Sequence, residues 1–270
     1  MIPIQRLPLQ TATDAQLTLW QQEIDTIAEY PLRVDKGQRR FKSRNRPNNT
    51  TFIDVRSRLS EMCCGAQRCQ YCEDSAAFQI DHIWPQNVYP SLVFVWENYL
   101  YACGHCNTTK RDRFEIYAKG TGRRINVAPA NPKKGRLRPP PDGTALLIDP
   151  TIEDPFDFLM LDLLSGRFLP LSTRRDQRWH RADFTIKLLG LNSRSYLMDA
   201  RKDACNTYCR YLGDYIRCRD EGEPQAELDR LRDELMRLPH PTVWREMKRQ
   251  WQDYALLRSL FGRAPETLHW

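Results

Sequence analysis

Two Cys-x-x-Cys pairs, Cys69/Cys72 and Cys103/Cys106, stand thirty residues apart in the stretch CQYCEDSAAFQIDHIWPQNVYPSLVFVWENYLYACGHCNTTK, Cys69 to Lys110. Four thiolates at that spacing can close a tetrahedral zinc site. Between the pairs lie Asp81 and His82, then Asn98; directly after the second pair come Asn107 and Lys110. An Asp–His pair and two asparagines inside one loop point to a second, open site that does chemistry. Cys63 and Cys64 are adjacent and compete for the metal on paper, but the paired spacing favours Cys69 and Cys72. His105, inside the second pair, reads as a bystander.

The elements that must position these residues follow from periodicity and punctuation. Thr13, with Gln16 completing a capping box, opens a helix carrying Leu17, Trp20, Ile24 and Ile27, which Pro31 ends. Residues 36 to 46, KGQRRFKSRNR, hold six basic side chains and no acid. They read either as a solvated loop or as an arm that contacts phosphate through Arg39, Arg40 and Lys42. A second helix is expected over Thr50 to Met62, a strand over Ala76 to Ile83, a second strand over Tyr99 to Ala102, and a helix from Asn107 to Lys119 ending at Gly120. Residues 129 to 143, PANPKKGRLRPPPDG, have the composition of a linker. Beyond it, Phe158 to Leu171 reads as a hairpin turning at Ser165–Gly166. Helices then follow over Thr173 to Leu189, after Ser193, over the leucines 228 to 238, and after Pro241. Cys205 and Cys209, four apart on the long helix, read as small buried hydrophobes.

The bulk properties narrow the class. A chain of 270 residues with 41% hydrophobic content can bury a core, as one large domain or as a core with an attached second one. It has no apolar run of membrane-span length, and its opening MIPIQRLPLQ has no signal-peptide segment, so a cytosolic protein without a membrane partner is expected. Nine cysteines in such a chain indicate metal ligation and free thiols rather than disulfides. A net charge of +7 suggests a polyanionic partner, nucleic acid being the usual one.

Cys-x-x-Cys, then Asp–His–Ile-x-Pro, then Asn, then Cys-x-x-Cys–Asn-x-x-Lys resembles the zinc-containing branch of the HNH endonucleases, which have a ββα-metal fold. The resemblance implies that His82 is the general base that activates water and that Asn98 orients the His loop. It implies that Asp81 and Asn107 ligate one divalent metal, and that Cys69, Cys72, Cys103 and Cys106 hold a structural zinc. Asn107 stands where the third letter of the family signature is often His. An amide oxygen suits a hard cation, Mg²⁺ first and Mn²⁺ second, better than zinc. The chemistry is coherent on its own terms. A neutral histidine takes a proton from water near pH 7, and a metal with open positions relieves charge on phosphate oxygens. Lys110, Arg111 and Arg113 follow on the same expected helix, placed to position phosphates.

A narrower resemblance rests on CQYCE, VWENYLYACGHCNTTK, LIDPTIEDPFDF, RADFTIKLLGLNSRS and the opening MIPIQR. These are similar to the HNH nuclease subunits, called PtuB, of Septu-type and retron-associated phage-defence systems. That likeness implies a partner ATPase of PtuA type. The sequence departs from the group at DHIWPQ, where members often have Glu–His followed by Pro–Lys; Asp can ligate a metal as Glu does. The expectation is therefore an α+β protein built on a ββα-metal core with a four-cysteine structural zinc, N-terminal helices and a mainly helical C-terminal half. Its expected segments are residues 1–62 (helical and basic), 63–128 (HNH core), 129–143 (linker) and 144–270 (hairpin and helices). The expected activity is metal-dependent hydrolysis of nucleic-acid phosphodiesters, DNA foremost, in an anti-phage complex. A non-catalytic zinc module that binds nucleic acid or a protein is the alternative. A stand-alone restriction-type nuclease is a third reading.

Overall fold

The apolar stripes ahead of the cysteines fold as helices that pack on one another. In the computed structural model, which describes residues 1–127 and 138–270, these are α1 (Thr11–Asp25), α2 (Tyr30–Arg44) and α3 (Thr50–Glu61). Leu17, Trp20 and Ile24 of α1 and Phe52, Val55 and Leu59 of α3 are buried, as their spacing demands. The Asn49 side chain starts α3 by accepting the Phe52 amide at 3.1 Å. Helix α1 begins ahead of the expected Thr13 cap, and Thr13 is buried inside its first turn. The larger correction is α2. Most of the basic run 36–46 is helical rather than loop. Pro31 lies in the first turn of α2, where its missing N–H costs nothing, so it opens this helix after α1 has already ended.

The centre is an antiparallel hairpin of β1 (Gln79–His82) and β2 (Tyr99–Ala102), with Asp81 opposite Leu100 and His82 opposite Tyr99. Helix α4 (Gly104–Lys110) follows, its first turn capped by the Cys103 sulfur, which accepts the Cys106 amide at 3.4 Å. The expected helix over Asn107–Lys119 is thus corrected. The backbone reverses at Arg111, with φ at 44°, and the chain re-enters as β3 (Glu115–Ala118). That strand is the middle of a three-stranded sheet with β4 (Arg124–Asn126) and β5 (Gly143–Ala145). Ile116 and Ala118 are buried while Glu115 and Tyr117 are half-buried, a period of two that no helix sustains. Gly143 is obligatory in β5, because a Cβ there would stand 2.4 Å from the Tyr117 carbonyl oxygen. Of the expected linker 129–143, residues 129–137 lie outside the described residues.

The hairpin at Phe158–Leu171 forms as β6 (Leu159–Asp162) and β7 (Arg167–Pro170), turning at Gly166 with φ at 68°. Helices α5 (Gln177–Leu188), α6 (Ser195–Asp220), α7 (Gln225–Met236), α8 (Pro241–Arg249) and α9 (Ala255–Arg263) complete the chain. The fold is mixed α and β, mostly helical. No described helix is long and apolar enough to cross a membrane.

Two hydrophobic clusters meet at the central hairpin, one on each face. Ile80, Tyr99 and Tyr101 pack with α1, α2 and α3 through Leu17, Trp20, Phe41, Phe52 and Val55. Leu100 and Ala102, on the opposite face, pack with the four cysteines, Tyr71, Phe114 and Ile116. That second cluster runs on without interruption through Leu146–Ile148, the β6–β7 hairpin and α5 to α9. The segment expected as an HNH core and the C-terminal half therefore share one core.

Candidate active site and metal centre

Cys69 and Cys72 come from the loop ahead of β1, and Cys103 and Cys106 from the start of α4. All four are buried, and their sulfurs lie within 4.8 Å of one another. The Cys72 and Cys103 sulfurs are 3.9 Å apart. A zinc ion with four Zn–S bonds of about 2.3 Å has sulfur–sulfur edges of about 3.8 Å. The four-sulfur donor set and its spacing fit a structural zinc. Arg194, buried in the turn before α6, donates to the Cys106 sulfur at 3.6 Å. Burial works against its charge, but the Cys106 and Cys72 thiolates outweigh that and hold the guanidinium above its ordinary pKa. A four-thiolate zinc carries surplus negative charge, and Arg194 offsets part of it. Nothing in the spacing of Arg194 signals this. Cys63 and Cys64 lie outside the cluster, and burial pushes each thiol up to about 12. His105 is exposed and also outside it.

Strand alternation then separates the next two residues. Asp81 faces α4. Its Oδ2 accepts the Tyr71 hydroxyl at 2.6 Å, and the Lys110 ammonium lies 3.2 Å from Oδ1 and 3.1 Å from Oδ2. Lys110 also donates to the His82 carbonyl at 2.5 Å. The amide of Asn107, half-buried on α4, donates to Gln79 Oε1 at 2.8 Å. Gln79 and Asp81 on β1 thus meet Asn107 and Lys110 on α4. Asn98 ties down the loop that joins the strands. Its Oδ1 accepts the Trp84 amide at 2.8 Å, and its Nδ2 donates to the Trp84 and Leu92 carbonyls at 3.0 and 2.9 Å.

Residues 69–113 match the HNH endonuclease family model.

No curated protein matches the chain. The HNH segment spans both cysteine pairs together with Asp81, His82, Asn98 and Asn107, and an HNH segment with a buried four-cysteine cluster points to a nuclease.

His82 points away from α4 into the N-terminal helices. It is 6% exposed. The Phe41 ring of α2 lies 4.5 Å from the imidazole in an edge contact, and Tyr99 lies at 5.2 Å. Its Nε2 is 2.9 Å from the Val93 carbonyl, which also accepts the Tyr99 hydroxyl at 2.6 Å. A carbonyl only accepts, so Nε2 carries the proton and the basic lone pair is on Nδ1. Burial pushes the pKa down to about 4; the Val93 carbonyl opposes this and the Lys110 ammonium adds to it. The ring is neutral at pH 7, as a general base must be, but it is covered.

The HNH donor set does not fit a divalent cation in this conformation. Both Asp81 oxygens are engaged, and an ammonium stands where positive charge is wanted. Lys110, expected on an open helix face toward phosphate, is instead 0% exposed. The remaining basic residues face outward. Arg111 and Arg113 are exposed, Arg113 reaching the Leu188 carbonyl at 3.2 Å. Arg39 is exposed and paired with Asp35, Arg40 lies 3.6 Å from Glu23, and Lys42 is exposed. A groove of about 1240 Å³ runs beside the loop, lined by Tyr30, Arg33, Trp84, Tyr89, Lys119 and Arg178.

Proposed function

We propose that the protein is a cytosolic HNH endonuclease that hydrolyses nucleic-acid phosphodiester bonds, DNA foremost, as the nuclease of an anti-phage complex with an ATPase of PtuA type. The observation that carries the nuclease reading is the ββα segment itself. Two cysteine pairs close its ends, and Asp81, His82, Asn98 and Asn107 lie within the residues that match the family model. In this reading the His82 Nδ1 lone pair takes the proton of the attacking water, and Asn98 holds the loop that follows it. Asp81 and Asn107 are the proposed ligands of Mg²⁺ or Mn²⁺, once the Lys110 ammonium has parted from Asp81. Arg111, Arg113, Arg39, Arg40 and Lys42 supply the positive surface for the phosphate backbone. The defence role rests on the sequence likeness in LIDPTIEDPFDF and RADFTIKLLGLNSRS; copurification of an ATPase tests it.

One observation favours a second reading, a non-catalytic zinc module. His82 is sealed and Asp81 is already neutralised, which is what a retired site looks like. The experiment that separates the two is cleavage of supercoiled plasmid by the wild type and by His82→Ala, with Mg²⁺, Mn²⁺ or EDTA, with and without a copurified ATPase. Metal-dependent nicking that His82→Ala lacks is the expected result. A complex silent under every condition leaves the zinc module standing.

A further inference from the structure

Helix α2 is an unusual neighbour for a general base. It carries six basic side chains and one acid, and it buries only Val34, Gly37 and Phe41. Those three lie on one stripe, and the stripe rests on the residues that hold His82. Phe41 contacts the imidazole edge at 4.5 Å. Gly37 sits so close to Val93 that a Cβ would stand 3.0 Å from its Cγ2, and Val93 is the residue whose carbonyl pairs with His82. Glycine weakens a helix interior relative to alanine; here it permits the close approach. The Tyr30 hydroxyl on the Val88 carbonyl and Arg56 on Asn45 fix the two ends. Apart from the buried stripe, the middle and end of the helix are held by cations. Arg44 pairs with Glu23 at 3.0 Å and lies 4.1 Å over the Trp20 ring, and Arg40 lies 3.6 Å from Glu23.

We infer that α2 is a displaceable cover on His82, held shut in part by Arg40 and Arg44 on Glu23, and that a nucleic-acid backbone opens it by claiming those two arginines. The inference takes from the nuclease reading only what His82 does, not what covers it. Glu23 offers one carboxylate to two guanidiniums. A run of phosphates offers more charge, and six cations on one short helix repel each other until something neutralises them. The same polyanion that is cleaved thus releases the base, which keeps a free enzyme inactive.

The geometry supplies its own test. The Cβ of residue 37 would lie 3.9 Å from the Val93 Cβ, inside the range of about 3.5–4.5 Å that a disulfide needs. Val93→Cys also removes the methyl group that a new Cβ would strike. In Gly37→Cys/Val93→Cys, oxidation is expected to lock the cover and dithiothreitol to release it. The first readout is carbethoxylation of His82 by diethylpyrocarbonate, mapped by peptide mass, with exposed His105 as internal reference. The oxidised form should modify His82 several-fold more slowly than the reduced form, while Glu23→Gln in the native background should modify it several-fold faster. The second readout is plasmid nicking, which should vanish on oxidation and return on reduction. Equal His82 reactivity in the locked, reduced and Glu23→Gln proteins overturns the cover, as does a locked protein that nicks at the reduced rate. If no form nicks DNA, with or without the copurified ATPase, but His82 reactivity follows the lock, the nuclease reading fails and the cover stands. Hydrogen exchange guards against misfolded variants, since an opened cover loses protection over residues 30–44 alone and a misfolded chain loses it everywhere.

Discussion

The Lys110 ammonium decides what Asp81 can do. The two side chains are 1% and 4% exposed, and removing one partner of a buried ion pair costs about 3–5 kcal/mol because the other charge is left without compensation. Lys110→Met, close in volume and uncharged, should therefore lower stability by about 3 kcal/mol in urea unfolding. If Asp81 and Asn107 are cation ligands, Mn²⁺ should restore part of that loss and leave the wild type unmoved. A variant as stable as the wild type removes Lys110 as the internal cation of this site, and one indifferent to Mn²⁺ removes Asp81 and Asn107 as cation ligands. His82 makes a separate, pH-dependent contribution. Its folded pKa of about 4 lies below an unfolded value of about 6.5, so between those values the unfolded chain binds the proton first. Stability from this group is complete above about 6.5 and falls as pH drops toward 4. His82→Asn should flatten unfolding midpoints across that window; an unchanged slope would mean the imidazole is not enclosed. At this scale the sequence showed which residues share the centre. It could not show that Lys110 turns inward, because three residues after Asn107 on a helix gives a face, and the packing of that face on Asp81 is tertiary.

At the scale of elements, the parts read most easily were those whose own residues decide them. Strand β2 sits at Tyr99–Ala102, and the long helix after Ser193 appears as α6. The misread parts were settled elsewhere in the chain. Residues 107–119 have helical composition, but Ile116 finds its burial in a sheet completed by β5 from beyond residue 140. The basic run 36–46 has too few apolar residues to advertise a helix, and Phe41 earns its place only because the hairpin face is there to receive it. The β1–β2 loop is a different case, a long segment with two short 3-10 turns whose backbone is held by side chains from several elements, Gln21, Tyr30 and Tyr99 among them. Asn98 makes three hydrogen bonds to its backbone. With a net worth of about 1 kcal/mol each, and a larger penalty for buried groups left unpaired, Asn98→Ala should cost about 2–4 kcal/mol. Asn107→Ala, which removes one half-exposed contact with Gln79, should cost under about 1 kcal/mol. Equal losses in the two variants would show that Asn98 does not hold the loop.

For the molecule as a whole, the two faces of the central hairpin have different dependents. Zinc-site sulfurs, β3, the β6–β7 hairpin and α5 to α9 belong to one hydrophobic cluster, with Arg194 reaching from the C-terminal half to Cys106. Structural zinc contributes on the order of 10–16 kcal/mol of binding free energy in small zinc modules. That is as large as the entire stability of a typical domain, about 5–15 kcal/mol. Losing the metal should therefore not be a local event. Removal of zinc by a strong chelator, or by Cys69→Ser, is expected to speed amide hydrogen exchange in α6 and α8 as well as in residues 69–113, in one cooperative step. Were α6 and α8 to keep their protection while the HNH segment lost it, the C-terminal half would be an independent domain and the shared cluster only a contact between two folded units. The cooperative outcome carries a functional meaning. A partner that grips the C-terminal helices would then act on the same core that holds Cys106, Leu100 and Phe114 behind the candidate active site. No separate hinge between binding and cleavage would be needed.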